Sequence, residues 1–298
     1  MHHESHLVSP GLRVRHALSH LNGLIRLARP LNGLIASISV VLGAYLAAGS
    51  ISPLTNVVIV AVAAYILLSA GNAFNDYRDV ETDSINKPSR PIPSGQVGQR
   101  TALVFAVVLF VVGTGLGLAV NWVAFSVACI VSVLLVLYTI KLRQLLLVGN
   151  IVIGLLTGLT FVSGGVAVGA IGGSIIPAVF AFLFTAAREI VKDIQDVKGD
   201  DMSGLSSLPI RWGKRKAMYV SLIFLALVIL VSPWPYFLDI YSLYYLLCVV
   251  IGVDLVLIYC MLTLLTSLTE QSAARVANIM KFDIFIGLGA VYLGGMNP

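Results

Sequence analysis

Asn75, Asp79 and Asp83 are spaced four residues apart, so on a helix their side chains stack into one stripe. They belong to residues 71–95, GNAFNDYRDVETDSINKPSRPIPSG, where a long apolar run gives way to acid, amide and base. Residues 188–213, REIVKDIQDVKGDDMSGLSSLPIRWG, answer them with Asp193, Asp196 and Asp200. Nine of the fourteen acidic residues of the chain fall in these two stretches, a concentration that points to a site. Carboxylates crowded along a helix repel one another and need positive charge to hold them. Hard oxygen donors suit Mg2+, which retains water and shares its shell with phosphate oxygens. Two such helix ends facing each other would hold two ions with a diphosphate between them. The neighbouring bases would complete the neutralisation: Lys87 and Arg90 after the first stretch, Lys141 and Arg143 further on, and Arg188, Lys192 and Lys198 around the second.

The elements that must position these residues are membrane spans. The chain has 298 residues, 58% hydrophobic and 11% charged, against about 25% charged in soluble domains. Such a chain has too few polar residues to cover itself in water. Apolar runs at 31–48, 54–74, 102–120, 123–140, 145–168, 175–187, 217–231, 243–265 and 279–293 predict nine transmembrane helices. The sixth run is short, and its helix is expected to continue through Arg188 toward Asp196. Pro88, Pro91 and Pro93 keep the first acidic stretch from resuming a helix. Residues 1–29 read as a basic interfacial segment with Arg13, Arg15, Arg26 and Arg29. Residues 30–298 read as one transmembrane domain, opened by Pro30 at a helix start. No cleavable signal peptide is expected, because mixed residues precede the first apolar run without a convincing cleavage site.

Charge sets an orientation. The net charge of +5 comes from bases flanking apolar spans, which argues for membrane topology and against nucleic acid. With the N-terminus in the cytoplasm, the outer loops at 49–53, 121–122, 169–174 and 232–242 and the C-terminal tail contain no Lys or Arg. Both acidic stretches then emerge on the cytoplasmic side, after the second and sixth spans, and the C-terminus lies outside. The stretches also align with each other. Residues 75–79 match 192–196, Asp83 matches Asp200, Pro91-Ile92 matches Pro209-Ile210 and Gly95 matches Gly213, at an offset of 117 and then 118. The expected fold is therefore an all-α membrane protein: two similar four-helix units plus a ninth helix, bundled with a site at the interface of the repeats.

Several residues have simpler readings beside the functional one. Lys141 and Arg143 serve equally as topology determinants, and Tyr138 as an interfacial aromatic. Asn32 is either a cap or a cavity-facing amide. Asn150, an amide inside a span, needs a partner. Gly149, Gly164 and Gly165 suit helix packing. Lys281 and Asp283 suggest a local ion pair near the cytoplasmic boundary, and Asp254 has no evident place. Cys129, Cys248 and Cys260 lie in apolar runs without metal-ligand spacing and read as small fillers.

Asn75-Asp76-x-x-Asp79-x-x-x-Asp83, followed by Asn86-Lys87-Pro88-x-Arg90-Pro91, resembles the first signature of the UbiA superfamily of intramembrane prenyltransferases. Asp196-x-x-x-Asp200, with Gly204 and Leu208-Pro209 downstream, resembles the second. Within that superfamily the chain is most similar to the archaeal digeranylgeranylglyceryl phosphate synthases, through INKPSRPIPSG, REIVKDIQDVKGD and Lys141…Gly149-Asn150. The resemblance covers essentially the whole chain. It implies nine transmembrane helices in a bundle around a central cavity, with the two acidic stretches as cytoplasmic cap loops. It also implies two Mg2+ bridging Asn75, Asp79, Asp83, Asp196 and Asp200 to an isoprenyl diphosphate, with Asp76 and Asp193 supporting them. It further implies roles for Tyr138 and Lys141, which here are three residues apart where some members have four. Asn32, Asn72, Lys87, Arg90, Arg143, Asn150, Arg188, Lys192 and Lys198 are the expected substrate-binding set. The implied reaction transfers a geranylgeranyl group to the hydroxyl of geranylgeranylglyceryl phosphate, forming an ether of archaeal membrane lipid. An aromatic acceptor, as in quinone synthesis, would use the same metal residues. A secondary transporter would also use repeats and intramembrane polar groups, but places its charges near the midplane rather than at one face. Membrane lipid is the expected surrounding, and no obligatory protein partner is evident.

Overall fold

The computed structural model describes residues 10–202, 204 and 206–296. His2, His3, the Ser9 start of the basic lead-in and the end of the C-terminal tail lie outside these. Among the described residues every regular element is helical. A lead-in helix α1 (Pro10–Ala28) precedes α2 (Pro30–Ala48), and Pro30 occupies the first turn as expected. There follow α3 (Leu54–Arg78), a short α4 (Val80–Asn86), α5 (Gln99–Leu116), α6 (Trp122–Ile140), α7 (Leu146–Ala167) and α8 (Ile175–Met202). The chain ends with short α9 (Leu208–Trp212), α10 (Lys214–Val231), short α11 (Trp234–Phe237), α12 (Leu243–Cys248), α13 (Leu255–Thr266) and α14 (Glu270–Gly295). A π-helical turn, Val249–Asp254, joins α12 to α13.

Nine helical stretches among the described residues are long and apolar enough to cross a membrane, one for each predicted span. Their outer faces carry large exposed hydrophobics such as Val111, Trp122 and Phe282. Water would penalise that surface, whereas hydrocarbon accepts it because a helix pairs its own backbone groups. The protein is an integral membrane protein.

Two boundaries depart from the apolar runs. α8 continues to Met202 and α14 begins at Glu270, nine residues ahead of its apolar run. A helix ends where its backbone loses its bonds, and polarity alone does not end it. At α14 the start is fixed by a capping box, in which the Thr269 hydroxyl accepts from the Ser272 amide at 3.1 Å.

The acidic stripe is also not one unbroken helix. α3 stops at Arg78 and α4 starts at Val80, with Asp79 between them at φ −90° and ψ 13°. That bridge conformation is sparsely populated and common among active-site residues. The Asp79 amide still donates to the Asn75 carbonyl at 2.9 Å, and the Asp83 amide to Asp79 at 2.7 Å. The stripe therefore keeps its shared face through the joint.

Small residues close the seam between α2 and α7. A β-carbon on Gly164 would lie 1.9 Å from the Val40 carbonyl oxygen, and one on Gly43 would lie 2.1 Å from that of Phe161. The two backbones are in direct contact there, the arrangement that draws helices together where no water drives them.

Candidate active site

A cavity of about 740 Å³ runs through the bundle. α3 and the joint that follows it line it from Val60 to Asp79, α6 from Ala124 to Thr139 and α7 from Ile153 to Val166. At 1.5 Å per residue this first wall is about 28 Å tall, close to the roughly 30 Å of a hydrocarbon core. Carboxylates of both acidic stretches gather toward one end, the rim. Asn75, Asp79 and Asp83 from the first half and Asp196 and Asp200 from the second all line the cavity. Lys87 donates to Asp196 at 3.1 Å and so ties the two acidic stretches together.

Asp79 and Asp83 are held in the same way. Asp79 accepts from the Asn75 amide at 2.8 Å and from Arg143. Asp83, almost fully buried, accepts from Arg90. Burial pushes the Asp83 carboxyl above its ordinary range, against the pull of Arg90. Burial works against the charge of Arg143, but the Asp79 carboxylate more than offsets it and holds the guanidinium above its ordinary range. Among the described residues no three His, Cys, Asp or Glu side chains close into a metal cage of their own. The donor set still fits Mg2+, because that ion is ordinarily held by one or two carboxylates and completes its shell with water and phosphate.

Two acids sit behind the rim residues. Asp76 does not line the cavity; it is buried and accepts from Arg29 at 2.6 Å and from Arg90 at 3.1 Å. It thereby orients the guanidinium that reaches Asp83. Asp193 lines the cavity and accepts from the buried Asn150 amide at 2.8 Å. That bond supplies the partner an amide in a span requires, and it links α7 to α8. Replacing Asn150 with Ala is expected to cost about 1–3 kcal/mol of stability by leaving a half-buried carboxyl without its donor. Thermal unfolding in detergent measures this, and an unchanged midpoint would show that the bond carries no stability.

Asn32, Asn72, Tyr138, Arg188 and Lys192 also face the cavity. Besides Asp76, three of the expected residues do not: Asn150, which meets Asp193 from outside the lining, Lys141 and Lys198. Lys141 is exposed and outside the lining. Lys198 is 79% exposed and pairs with Glu270 at 3.1 Å, so it fastens α8 to α14. Six residues separate Lys198 from Lys192, which turns it to another face of the helix. The expected Lys281–Asp283 ion pair is absent among the described residues. Lys281 lines the cavity, while Asp283 is buried with neither carboxylate oxygen partnered. Residues two apart on a helix do not face each other. Asp254 also finds its place: it is buried at the π-helical turn and accepts from the Ser232 hydroxyl at 2.8 Å.

Three cavity or rim residues escape a reading by motif. Arg29 looked interfacial, but it holds the left-handed joint between α1 and α2 at φ 51° and aims its guanidinium at Asp76. Glu189 lines the cavity and binds Lys192 at 2.9 and 2.8 Å. Lys281 is the third. Only the packing of distant helices reveals Arg29 and Lys281; Glu189 was signalled by its place in the second acidic stretch.

Comparison with known proteins places this geometry. The model of the UbiA prenyltransferase family matches residues 36–285. A digeranylgeranylglyceryl phosphate synthase of Thermococcus gammatolerans is 37% identical over 276 residues, covering 93% of this chain and 99% of the relative. One of Methanocaldococcus jannaschii is 35% identical over 283 residues, covering 94% and 98%. A solved structure described as a digeranylgeranylglyceryl phosphate synthase in membranes superposes with a TM-score of 0.75 at 34% identity, covering 93% of this chain and 99% of its own. A UbiA homologue of Archaeoglobus fulgidus bound to GPP and Mg2+ shares the fold, with a TM-score of 0.68 at 16% identity over 91% and 99%.

Proposed function

The chain belongs to the UbiA prenyltransferase family, and from this premise we propose that it transfers a geranylgeranyl group from its diphosphate to the free hydroxyl of geranylgeranylglyceryl phosphate. The observation that carries the reading is the joining of two acidic helix ends at one rim of a deep apolar cavity, with Lys87 on Asp196 as the link. Relatives more than 30% identical over nearly their full length, named for this synthesis, supply the acceptor.

Asn75, Asp79, Asp83, Asp196 and Asp200 are the residues that would hold two Mg2+. When bound, the ions would neutralise the diphosphate and favour its departure. Lys87, Arg90 and Arg143 meet the same diphosphate and take up the charge that develops as the C1–O bond breaks. Tyr138 and the apolar walls of α3 and α6 keep water from the allylic centre, and the Thr157, Thr160 and Ser163 hydroxyls of α7 donate to their own helix backbone. The acceptor oxygen bonds to C1, and its proton and the diphosphate are released. Asp76 keeps Arg90 aimed and Asp193 keeps α7 and α8 in register. The absence of Lys and Arg from one set of loops supports a cytoplasmic rim.

The test offers purified protein labelled geranylgeranyl diphosphate and Mg2+, with geranylgeranylglyceryl phosphate and 4-hydroxybenzoate in parallel. Chelator-sensitive transfer to the glyceryl phosphate is expected. Transfer to the aromatic alone would move the protein to quinone-type chemistry. Arg90→Ala is expected to raise KM for the prenyl diphosphate about tenfold or more, the worth of one charge-assisted contact, with the acceptor KM little changed. An unaltered diphosphate KM would remove Arg90 from the site.

A further inference from the structure

Apart from Arg29, which is held by Asp76, the bases of the cavity fall into two sets. Lys87, Arg90 and Arg143 are each tied to a rim acid, namely Asp196, Asp83 and Asp79. Arg188, Lys192 and Lys281 line the same cavity and are tied to none of these. Arg188 lies eight residues along α8 from Asp196, about 12 Å deeper by helical rise. Its Nε donates to the Ala277 carbonyl at 3.2 Å. Lys281 is one turn further along α14, so α8 and α14 present these bases to a common space. Lys192 is one turn from Arg188 on α8.

The charge on this wall is unbalanced. Glu189 is the carboxylate that binds these bases, meeting Lys192 at 2.8 Å and Arg188 at 3.4 Å. Asp193, next along, is held by Asn150 instead. Among the described residues no ion pair includes Lys281, although it sits inside a span. An ammonium there is costly unless it faces a polar cavity and meets an anion. Two of the bases share one carboxylate and the third meets none, which leaves positive charge for a ligand, and the depth of Arg188 below the rim separates that ligand from the diphosphate.

We infer that Lys281, with Arg188 and Lys192, forms a second anion seat that takes the phosphomonoester of the acceptor. This rests on the acceptor reading above and deepens it. A phosphomonoester carries nearly two negative charges at neutral pH and three acceptor oxygens, which suits an array of separate bases better than a single carboxylate would. Held there, the phosphate anchors the acceptor below the rim, and the adjacent glyceryl hydroxyl is turned toward the prenyl carbon.

The test compares geranylgeranylglyceryl phosphate with its dephosphorylated alcohol as acceptors for the wild type, Lys281→Met and Lys281→Arg. Met keeps the apolar stem and removes the charge; Arg restores the charge and reports whether the position tolerates change. The wild type is expected to prefer the phosphorylated acceptor. Lys281→Met is expected to raise its KM about tenfold to thirtyfold, the worth of one charge-assisted contact. KM for the prenyl diphosphate and turnover of the alcohol should stay within about twofold, and Lys281→Arg should recover most of the loss. A Lys281→Met enzyme that keeps the wild-type preference for phosphate overturns the seat alone, as does an equal loss with both acceptors. A wild type indifferent to the phosphate overturns the acceptor reading and the seat with it.

Discussion

Asp196→Ala lowers prenyl transfer about a thousandfold or more, while the protein still extracts and unfolds as the wild type does. Two magnitudes lead to this split. The Lys87–Asp196 pair is partly exposed on both sides, and exposed pairs contribute about 0–1 kcal/mol to stability. The same carboxylate, as a proposed ion ligand, acts where the leaving diphosphate develops charge. Removing one preorganised electrostatic partner at such a place costs about 3–4 kcal/mol of barrier, and loss of a whole ligand is at the upper end. Initial rates at saturating Mg2+ and the unfolding midpoint together make the measurement. Near-normal turnover would sink the assignment of the rim, and a large drop in midpoint would reassign Asp196 to structure.

Ala128→Trp changes which donors are used more than whether the enzyme works. Ala128 is buried on α6 and lines the apolar wall. It lies ten residues from Tyr138, about 15 Å further from the rim, where the distal isoprene units of a long donor are expected to rest. An indole there fills that depth. Each buried methylene contributes about 0.8 kcal/mol, so unseating several carbons amounts to more than about 3 kcal/mol, over a hundredfold in kcat/KM. Geranylgeranyl diphosphate should suffer that loss while dimethylallyl diphosphate is used within severalfold of the wild type. An equal loss for both donors would show that the indole disturbs the bundle and does not shorten the cavity.

Hydropathy made the nine spans legible because a membrane span must be apolar for its whole length, a demand no local exception relaxes. The rim was legible because carboxylates so concentrated in a chain poor in charge have few uses. Lys198, Lys281 and Arg29 were not, for a common reason. Each residue along a helix turns its side chain by 100°, so the destination of a single base depends on rotation and on which distant helix meets it. Lys198 reaches Glu270 on α14, and Arg29 reaches Asp76 on α3. Neither pairing leaves a trace in local spacing. The joint at Asp79 was hidden as well, because its amide bonds continue across it and the residue pattern stays that of a helix.

The contact of α2 with α7 through Gly43 and Gly164 has a mechanical meaning. Backbone against backbone cannot yield by changing a rotamer, so these two helices act as the spine of a book whose covers are the two halves of the bundle. Gly43 and Gly164 both lie well away from the rim ends of their helices, toward Ala48 and Ala167. At the opposite edge the covers meet at Lys87 and Asp196, a half-exposed pair of charges that salt can weaken. The molecule is bound where a prenyl tail would rest and clasped where polar head groups must pass. That arrangement predicts breathing at the clasp, where a lipid would enter, with the far end of the cavity held at its dimensions.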